Sequence, residues 1–323
     1  MKCTLYSSLL TLALCIAPAW SLSGVALAAP VEMVSSDSSA SFDMTAVSRF
    51  GFGNILLGGW TEQNGWISAG QLQNSERFHP LRIWGGEQGR VYGLNGLKGE
   101  GVFSAIHSEH PGEFTCSQDD VPRFETHTPG GVLKEPSGLL TILCPWDVQP
   151  RKAVTMKNGN VTYQGIVRKY LAARGLQTEQ PVLTQLFKID LEGDGVDEVL
   201  ICAQNIADKG AASFEPDQPL VAGTGLPEAA QPGAYSLLLL RKIVDGKVVE
   251  LPLHSFASPK GSSPMDDNWT PPVIGKACQF SDLNGDGVLE IIVTTTFYEG
   301  YAHHVFEVKN GEAHRVLTQG MGS

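Results

Sequence analysis

For most of its length the chain alternates short apolar runs with glycine- and asparagine-rich punctuation, the pattern of strands joined by tight turns. Between 46 and 150 the runs are brief. Ile55-Leu56-Leu57 and Trp66-Ile67-Ser68 flank Asn64-Gly65, which predicts a hairpin because Asn-Gly accepts the positive φ that such a turn needs. Leu81-Arg82-Ile83-Trp84 and Arg90-Val91-Tyr92-Gly93-Leu94 predict further strands, and the polar, Pro-rich stretches around 110–137 read as loops. One segment has the other period. Tyr163, Ile166, Val167, Tyr170 and Leu171 recur at helical spacing, with Asn160 placed to cap the first turn and Gly175 to stop the last. A helix is therefore expected near 161–174, its apolar stripe serving as core packing.

Downstream of this helix the chain repeats itself. The segment Lys188-Ile189-Asp190-Leu191-Glu192-Gly193-Asp194-Gly195-Val196-Asp197-Glu198-Val199-Leu200-Ile201 returns as Phe280-Ser281-Asp282-Leu283-Asn284-Gly285-Asp286-Gly287-Val288-Leu289-Glu290-Ile291-Ile292-Val293. An apolar strand enters an Asp/Gly loop and an apolar strand leaves it. The first copy continues to Tyr235-Ser236-Leu237-Leu238-Leu239-Leu240 and a turn at Asp245-Gly246, the second to His304-Val305-Phe306-Glu307-Val308 and a turn at Asn310-Gly311. Each unit, at about 182–253 and 273–319, thus predicts four consecutive antiparallel strands, the content of one propeller blade. Such a unit cannot cover both its faces alone, so the units are expected to stack on neighbours. An Ala-, Pro- and Gly-rich insertion at about 204–233 reads as a surface loop. The fold expected is mainly β, with blade-like four-stranded antiparallel repeats in a partial or small propeller-like array, a β-rich region at 46–150, and one α-helix opening the 155–323 region.

The loops carry the clearest chemistry. Ca²⁺ takes about six to eight oxygen ligands, which a loop supplies by placing carboxylates or amides at alternate positions so that their oxygens converge. Asp190, Glu192 and Asp194 stand at positions one, three and five of the first loop, and Asp282, Asn284 and Asp286 do so in the second. Gly195 and Gly287 at position six permit the sharp turn, Val196 and Val288 each follow with a backbone carbonyl, and Glu198 and Glu290 add an acid at position nine. An EF-hand would carry Glu at position twelve and continue into a helix; here Ile201 and Val293 occupy that position and β-patterned sequence follows. A Ca²⁺ ion is expected in each loop, and the plainer alternative is a solvated Asp/Gly turn without metal.

In this strand–loop–strand form the loops resemble those of FG-GAP and VCBS-type repeats of bacterial secreted and cell-surface proteins, over about residues 182–319. The resemblance implies that the loops bind Ca²⁺ and stiffen the edge of a blade. Glu192 departs from it, being longer than the Asp or Asn usual at position three.

The N-terminus supplies an address. Met1-Lys2, an apolar charge-free stretch from about Leu5 to Val25, and the small-x-small Ala26-Leu27-Ala28 read as a signal peptide over 1–28. Cleavage after Ala29 would leave Pro30 directly behind the cut, and Pro18 weighs against an uncleaved anchor. Residues 29–45 are Ser-rich and read as a flexible leader, and no later segment is long and apolar enough to cross a bilayer. The product is expected in the periplasm, secreted, or at the cell surface. Of six cysteines, Cys116, Cys144, Cys202 and Cys278 remain after processing; they permit two disulfides in three pairings. Cys116–Cys144 would stay within one region, whereas Cys202, inside an apolar run, reads equally as a buried free thiol.

The net charge of −11 excludes a phosphate-backbone binder, which needs clustered Lys and Arg, and suits a protein that collects cations. Other candidate chemistry is thinner. His107-Ser108-Glu109-His110 lacks the spacing that sets two imidazoles on one helix face. His303 and His304 are neighbours on a predicted strand and point to opposite faces. Asp266-Asp267 reads as a solvated pair, and Trp60, Trp66 and Trp84 as core rather than sugar-stacking platforms. The chain has no nucleophile elbow, P-loop or dinucleotide fingerprint. The expected function is an exported Ca²⁺-binding β-repeat protein acting as a binding or structural module, with a protein or carbohydrate partner. The alternatives are a secreted polysaccharide-active hydrolase or lyase built on the calcium units, and a subunit of an envelope complex.

Overall fold

A computed structural model describes residues 42–109, 121–133, 138–206, 226–265, 269–298 and 300–321. The expected signal peptide, most of the leader, His110, Cys116, Asp266-Asp267 and most of the 204–233 insertion lie outside the described residues. All the described residues belong to one unit, Ser41–Ser323.

The protein is mainly β, and one sheet curls into a half-barrel. In chain order the first sheet takes β1 (Val47–Phe52), β2 (Ile55–Thr61), β3 (Gly65–Ser68), β4 (Gln88–Gly93) and β5 (Gly96–Phe103). It also takes β6 (His107–Glu109), β7 (Val121–Arg123), β8 (Thr126–Thr128), β9 (Gly131–Val132) and β10 (Leu140–Leu143). These ten lie side by side as β6-β7-β2-β1-β10-β4-β5-β8-β9, with β3 against β2. A short helix, α1 (Ala69–Asn74), follows β3. The second sheet has β11 (Val154–Thr155), β12 (Leu183–Ile189), β13 (Glu198–Gln204), β14 (Ala234–Val244) and β15 (Lys247–Ser258) in sequential order, with helix α2 (Val161–Ala172) between its first two strands. The third has β16 (Ile274–Ser281), β17 (Glu290–Phe297), β18 (Gly300–Lys309) and β19 (Glu312–Met321), also in sequential order. Every pairing in these two sheets is antiparallel.

Local chemistry explains most of these elements. Asp245 and Gly246 have φ of 51° and 73°, and Asn310 and Gly311 have 54° and 76°. Two successive positive φ values make the tight hairpin turn that matches strand twist, and Asp-Gly and Asn-Gly tolerate them best. Asn64-Gly65 closes the β2–β3 hairpin as expected. Asn160 caps α2 by accepting from the N–H groups of Thr162 and Tyr163. At the other end Gly175 turns left-handed at φ 78°. The N–H of Leu176 then reaches back to the Leu171 carbonyl and that of Gly175 to Ala172, the double bond of a Schellman stop.

The first region holds three differences from expectation. Residues 69–74 form a second helix, started by a capping box in which Ser68 and Gln71 each bond the other's backbone N–H. Leu81-Arg82-Ile83-Trp84 is not a strand. Leu81 ends a 3-10 turn over Glu76–Leu81 that contains Pro80. Leu81 and Ile83 are buried while Trp84 is exposed, so the segment keeps the alternation of a strand without a ladder partner. The stretch read as loops contains β7, β8 and β9, short strands near the two ends of the sheet.

Packing follows the two-residue period of the strands. From the second sheet, Phe187, Ile189, Leu200, Cys202, Leu238 and Leu240 pack against Ala277, Phe280, Ile291, Val293, Phe306 and Val308 of the third. The rings of Phe187 and Phe280 meet edge-on at 5.5 Å. The intervening residues Leu186, Ile201, Leu237 and Leu239 pack under Val167 and Leu171 of α2. On the far side of the third sheet, Ile292, Val305 and Leu317 meet Phe50, Phe52, Tyr92 and Ile142 of the first. The order is helix, sheet, sheet, sheet, and the 46–150 and 155–323 regions share one core. Each fully buried Leu or Ile stabilises this stack by roughly 1.5–3 kcal/mol. Cys144, Cys202 and Cys278 are free thiols, and burial pushes Cys202 up to about 12.

His303 and His304 point to opposite faces. The His303 ring meets Phe52 of the first sheet at 5.0 Å and its Nδ1 bonds the Thr294 hydroxyl at 2.8 Å, while His304 lies between Thr295 and Thr318. Burial, with His304 and Arg123 nearby, lowers His303 from 6.5 to about 3. Burial also lowers His254 and His304 to about 4. Below about pH 6.5 the unfolded chain therefore binds protons that the folded protein refuses, and these rings cost stability progressively as pH falls from 6.5 towards 4. A His303→Gln variant is expected to lose about 2 kcal/mol less unfolding free energy than the wild type between pH 7 and pH 5. Urea unfolding at the two pH values measures this, and equal losses would show that the ring is protonated in the fold.

Candidate metal centre

The two Asp/Gly loops join corresponding strands in the same register. Ile189 pairs with Glu198 across β12 and β13, and Ser281 pairs with Glu290 across β16 and β17. The acid at position nine therefore opens the outgoing strand, directly across from the residue that ends the incoming one. From there it bends inward: Glu198 Oε2 accepts the Leu191 N–H at 2.9 Å, and Glu290 Oε2 accepts that of Leu283 at 2.7 Å.

Position one organises the turn. Asp190 accepts the Gly193 N–H at 2.6 Å on one oxygen and the Gly195 N–H at 2.9 Å on the other. Asp282 does the same with Gly285 at 2.7 Å and Gly287 at 3.0 Å. At position five, Asp194 and Asp286 each accept the N–H of the following valine, Val196 or Val288, at 2.8 Å. These bonds require left-handed glycines, and Gly195 and Gly287 share a φ of 83°. Among the described residues no three His, Cys, Asp or Glu side chains already converge as an ion would hold them. The carboxylates instead hold the loops' own N–H groups, and Asn284 Nδ2 donates to Asp286 Oδ2 at 3.1 Å.

The two loops sit in different surroundings. In the first, residues 193–197 are exposed. In the second, Asp282 and Asn284 are each 5% exposed and Leu283, Leu289 and Glu290 are fully buried. Residues from elsewhere in the chain enclose it. Trp146 Nε1 donates to the Asp282 carbonyl at 2.9 Å, the Asp282 N–H reaches the Val148 carbonyl at 2.8 Å, and the Ser48 hydroxyl donates to the Leu283 carbonyl. The Trp146 ring lies so close over Gly285 that a Cβ there would sit 3.2 Å from it.

Arg151 joins the loops. Its guanidinium donates to the Asp190 and Leu191 carbonyls of the first, both at 2.8 Å, and to the Gly287 carbonyl of the second at 2.6 Å. The Leu289 N–H adds a backbone bond to Leu191 at 2.9 Å.

Charge separates the pair further. Burial works to raise the Asp190 carboxyl, yet the N–H groups of Gly195, Gly193 and Asp194 and the Arg151 guanidinium hold it below the usual value. In the second loop burial wins: it raises Asp282, with Asp286 adding to it, and raises Glu290 well above the usual range, with Asp286, Asp282 and Glu307 adding to it. Glu290 Oε1 is buried without a hydrogen-bond partner. Burial and Glu192 raise Glu198 to about 7 against the pull of the Leu191 N–H and Lys242, and Lys242 Nζ donates to Glu192 Oε1.

All ten expected ligand residues thus lie on the two loops and the strand starts behind them. Ser48, Trp146, Arg151, Lys242 and Glu307, which complete the surroundings, were not among the sequence candidates. Lys242 and Glu307 each stand three residues before a matching tight turn, a correspondence already present in the repeat. The other candidates stay apart from this site: His107 and Glu109 stand on β6, Trp66 packs against Phe50, and Trp84 is exposed beside His79.

Replacing Arg151 with Ala removes a donor from three carbonyls, of which that of Leu191 keeps the Leu289 N–H, and is expected to destabilise the protein by about 1.5–3 kcal/mol. Arg151→Lys should recover little of it, since an ammonium cannot present the guanidinium fork. Chemical unfolding measures both, and an Ala variant within 0.5 kcal/mol of wild type (~ experimental scatter) would show that the loops hold together without the clamp. Comparison of the chain with protein-family models, with curated proteins and with solved structures returns no match.

Proposed function

We propose that the chain is an exported Ca²⁺-binding β-repeat protein that acts as a binding or structural module. The observation that carries the calcium reading is the buried Glu290 oxygen without a partner, beside Asp282 and Asp286. A carboxylate buried among other carboxylates is costly unless a proton or a cation neutralises it, and a cation in contact with all of them does so for the whole cluster. The donors at hand, from Asp282, Asn284, Asp286, Glu290 and the Val288 carbonyl, are all hard oxygens, the set Ca²⁺ prefers. Bound there, the ion would neutralise the cluster and stiffen the loop between β16 and β17. Asp190, Glu192, Asp194, Val196 and Glu198 offer the matching set in the first loop.

The blade-like reading draws support from sheet order. Strands β12–β15 and β16–β19 are consecutive antiparallel meanders with matching loops, matching turns and stacked faces. The module reading draws support from chemistry: the acidic loops are bonded to backbone and packed among structural contacts, as structural sites are. Export rests on the N-terminal sequence, and the FG-GAP and VCBS-type resemblance on the two loops.

Thermal unfolding in EDTA and then in ~1 mM Ca²⁺ tests the reading. A site with a Kd near ~10 μM adds about 2.7 kcal/mol by mass action, which raises the Tm by roughly 5–10 °C for a chain of this size. The rise should vanish when Asp194 and Asp286 are both changed to Ala. An unchanged Tm in the wild type would mean that the loops are metal-free turns.

A further inference from the structure

The two loops differ at one corresponding position on the neighbouring strand. Arg241 of β14 pairs with Val199, next to Glu198, and Phe306 of β18 pairs with Ile291, next to Glu290. The residues that follow are therefore equivalent: Lys242 beside the first loop and Glu307 beside the second. Each also stands three residues before a tight turn, at Asp245-Gly246 and Asn310-Gly311. The Lys242 side chain is 8% exposed and its ammonium donates to Glu192 Oε1. Glu192 is the residue that departs from the short Asp or Asn expected at position three, and its extra methylene carries the carboxylate to that ammonium. In the second loop the shorter Asn284 bonds Asp286 instead, and the residue corresponding to Lys242 is a carboxylate. Each loop leaves one carboxylate oxygen without a partner, Glu192 Oε2 in the first and Glu290 Oε1 in the second. The Glu192 side chain is 27% exposed and has the ammonium on its other oxygen, whereas Glu290 is fully buried with no cationic side chain bonded to it among the described residues.

We propose that the second loop alone takes up Ca²⁺, and that the Lys242 ammonium serves the first loop as a cation built into the chain. This rests on the calcium reading above and divides it between the loops. An ammonium carries one of the two charges a calcium ion would bring and spends its donors on Glu192, so the first loop holds its turn without metal. The second loop has fewer acids of its own, but it lies deeper, faces the further carboxylate of Glu307 and has no corresponding ammonium, so its charge is the one left for an external ion to neutralise. An ancestral pair of like sites would thus have become one permanent turn and one metal-dependent turn.

The test counts Ca²⁺ per chain at saturation, by equilibrium dialysis against radioactive calcium. The wild type is expected to bind one ion. Asp194→Ala should still bind one, while Asp286→Ala and Glu307→Lys should bind none. Lys242→Glu, which copies the second unit, should bind two, and Lys242→Gln serves the same purpose if that variant fails to fold. Two ions on the wild type, or an ion lost in Asp194→Ala and kept in Asp286→Ala, would overturn the division and leave the calcium reading standing. One ion on both folded Lys242 variants would overturn the role given to the ammonium. No ion on the wild type would overturn the calcium reading and the division with it.

Discussion

Because the central strands of the second and third sheets are buried on both faces, neither sheet is complete without a layer on each side. Every residue of β16 is buried, and so are seven of the eight in β17. Alternate residues of the second sheet face α2 and the third sheet; alternate residues of the third face the second and the first. The four layers follow from that constraint. So does the outer position of β15, whose residues are largely exposed or half-buried and which leaves one edge of the second sheet open. One polar side chain inside the stack is paired to suit. The Gln185 amide bonds both the N–H and the carbonyl of Ala277, at 3.0 and 3.1 Å, where a bulge interrupts the ladder of β16. A glutamine side chain there replaces the strand neighbour that the bulge removes.

What could be read in the sequence was whatever local chemistry decides. The α2 caps, the Asp-Gly and Asn-Gly turns and the strands around the acidic loops depend on residues within a few positions of one another. Leu81–Trp84 misled because alternation marks which side of an extended chain is buried, not whether a partner strand lies alongside. The first helix escaped because its apolar pattern is only two residues, Ala69 and Leu72, although the Ser68–Gln71 capping pair was legible. The pairing order β6-β7-β2-β1-β10-β4-β5-β8-β9 depends on contacts between distant segments, and no local pattern specifies it.

The candidate centre divides along the same line. The ligand-bearing positions of both loops were visible as a repeat, since the turn needs particular residues at fixed spacing. Ser48, Trp146 and Arg151 were not, because their roles arise only where the layers meet. Lys242 and Glu307 lie between these cases. Their correspondence is encoded in the distance to a tight turn, but its meaning depends on which strand lies beside which loop. Two loops with nearly the same backbone and a shared arginine therefore hold different electrostatic settings, one beside a lysine, the other beside a further glutamate.

The Ser48–Leu283 bond spans 235 residues of chain, and the surroundings of the second loop draw also on Trp146, Val148 and Arg151. A chain emerging in order from its N-terminus has all of these buttresses before the loop itself exists. The loop therefore joins partners already present in the chain, and its enclosure requires that the first and third sheets have docked. A fragment holding only the repeats would keep the acidic motif while losing Ser48, Trp146 and Arg151 around it. The motif is local in sequence, but its rigidity is a property of the whole chain.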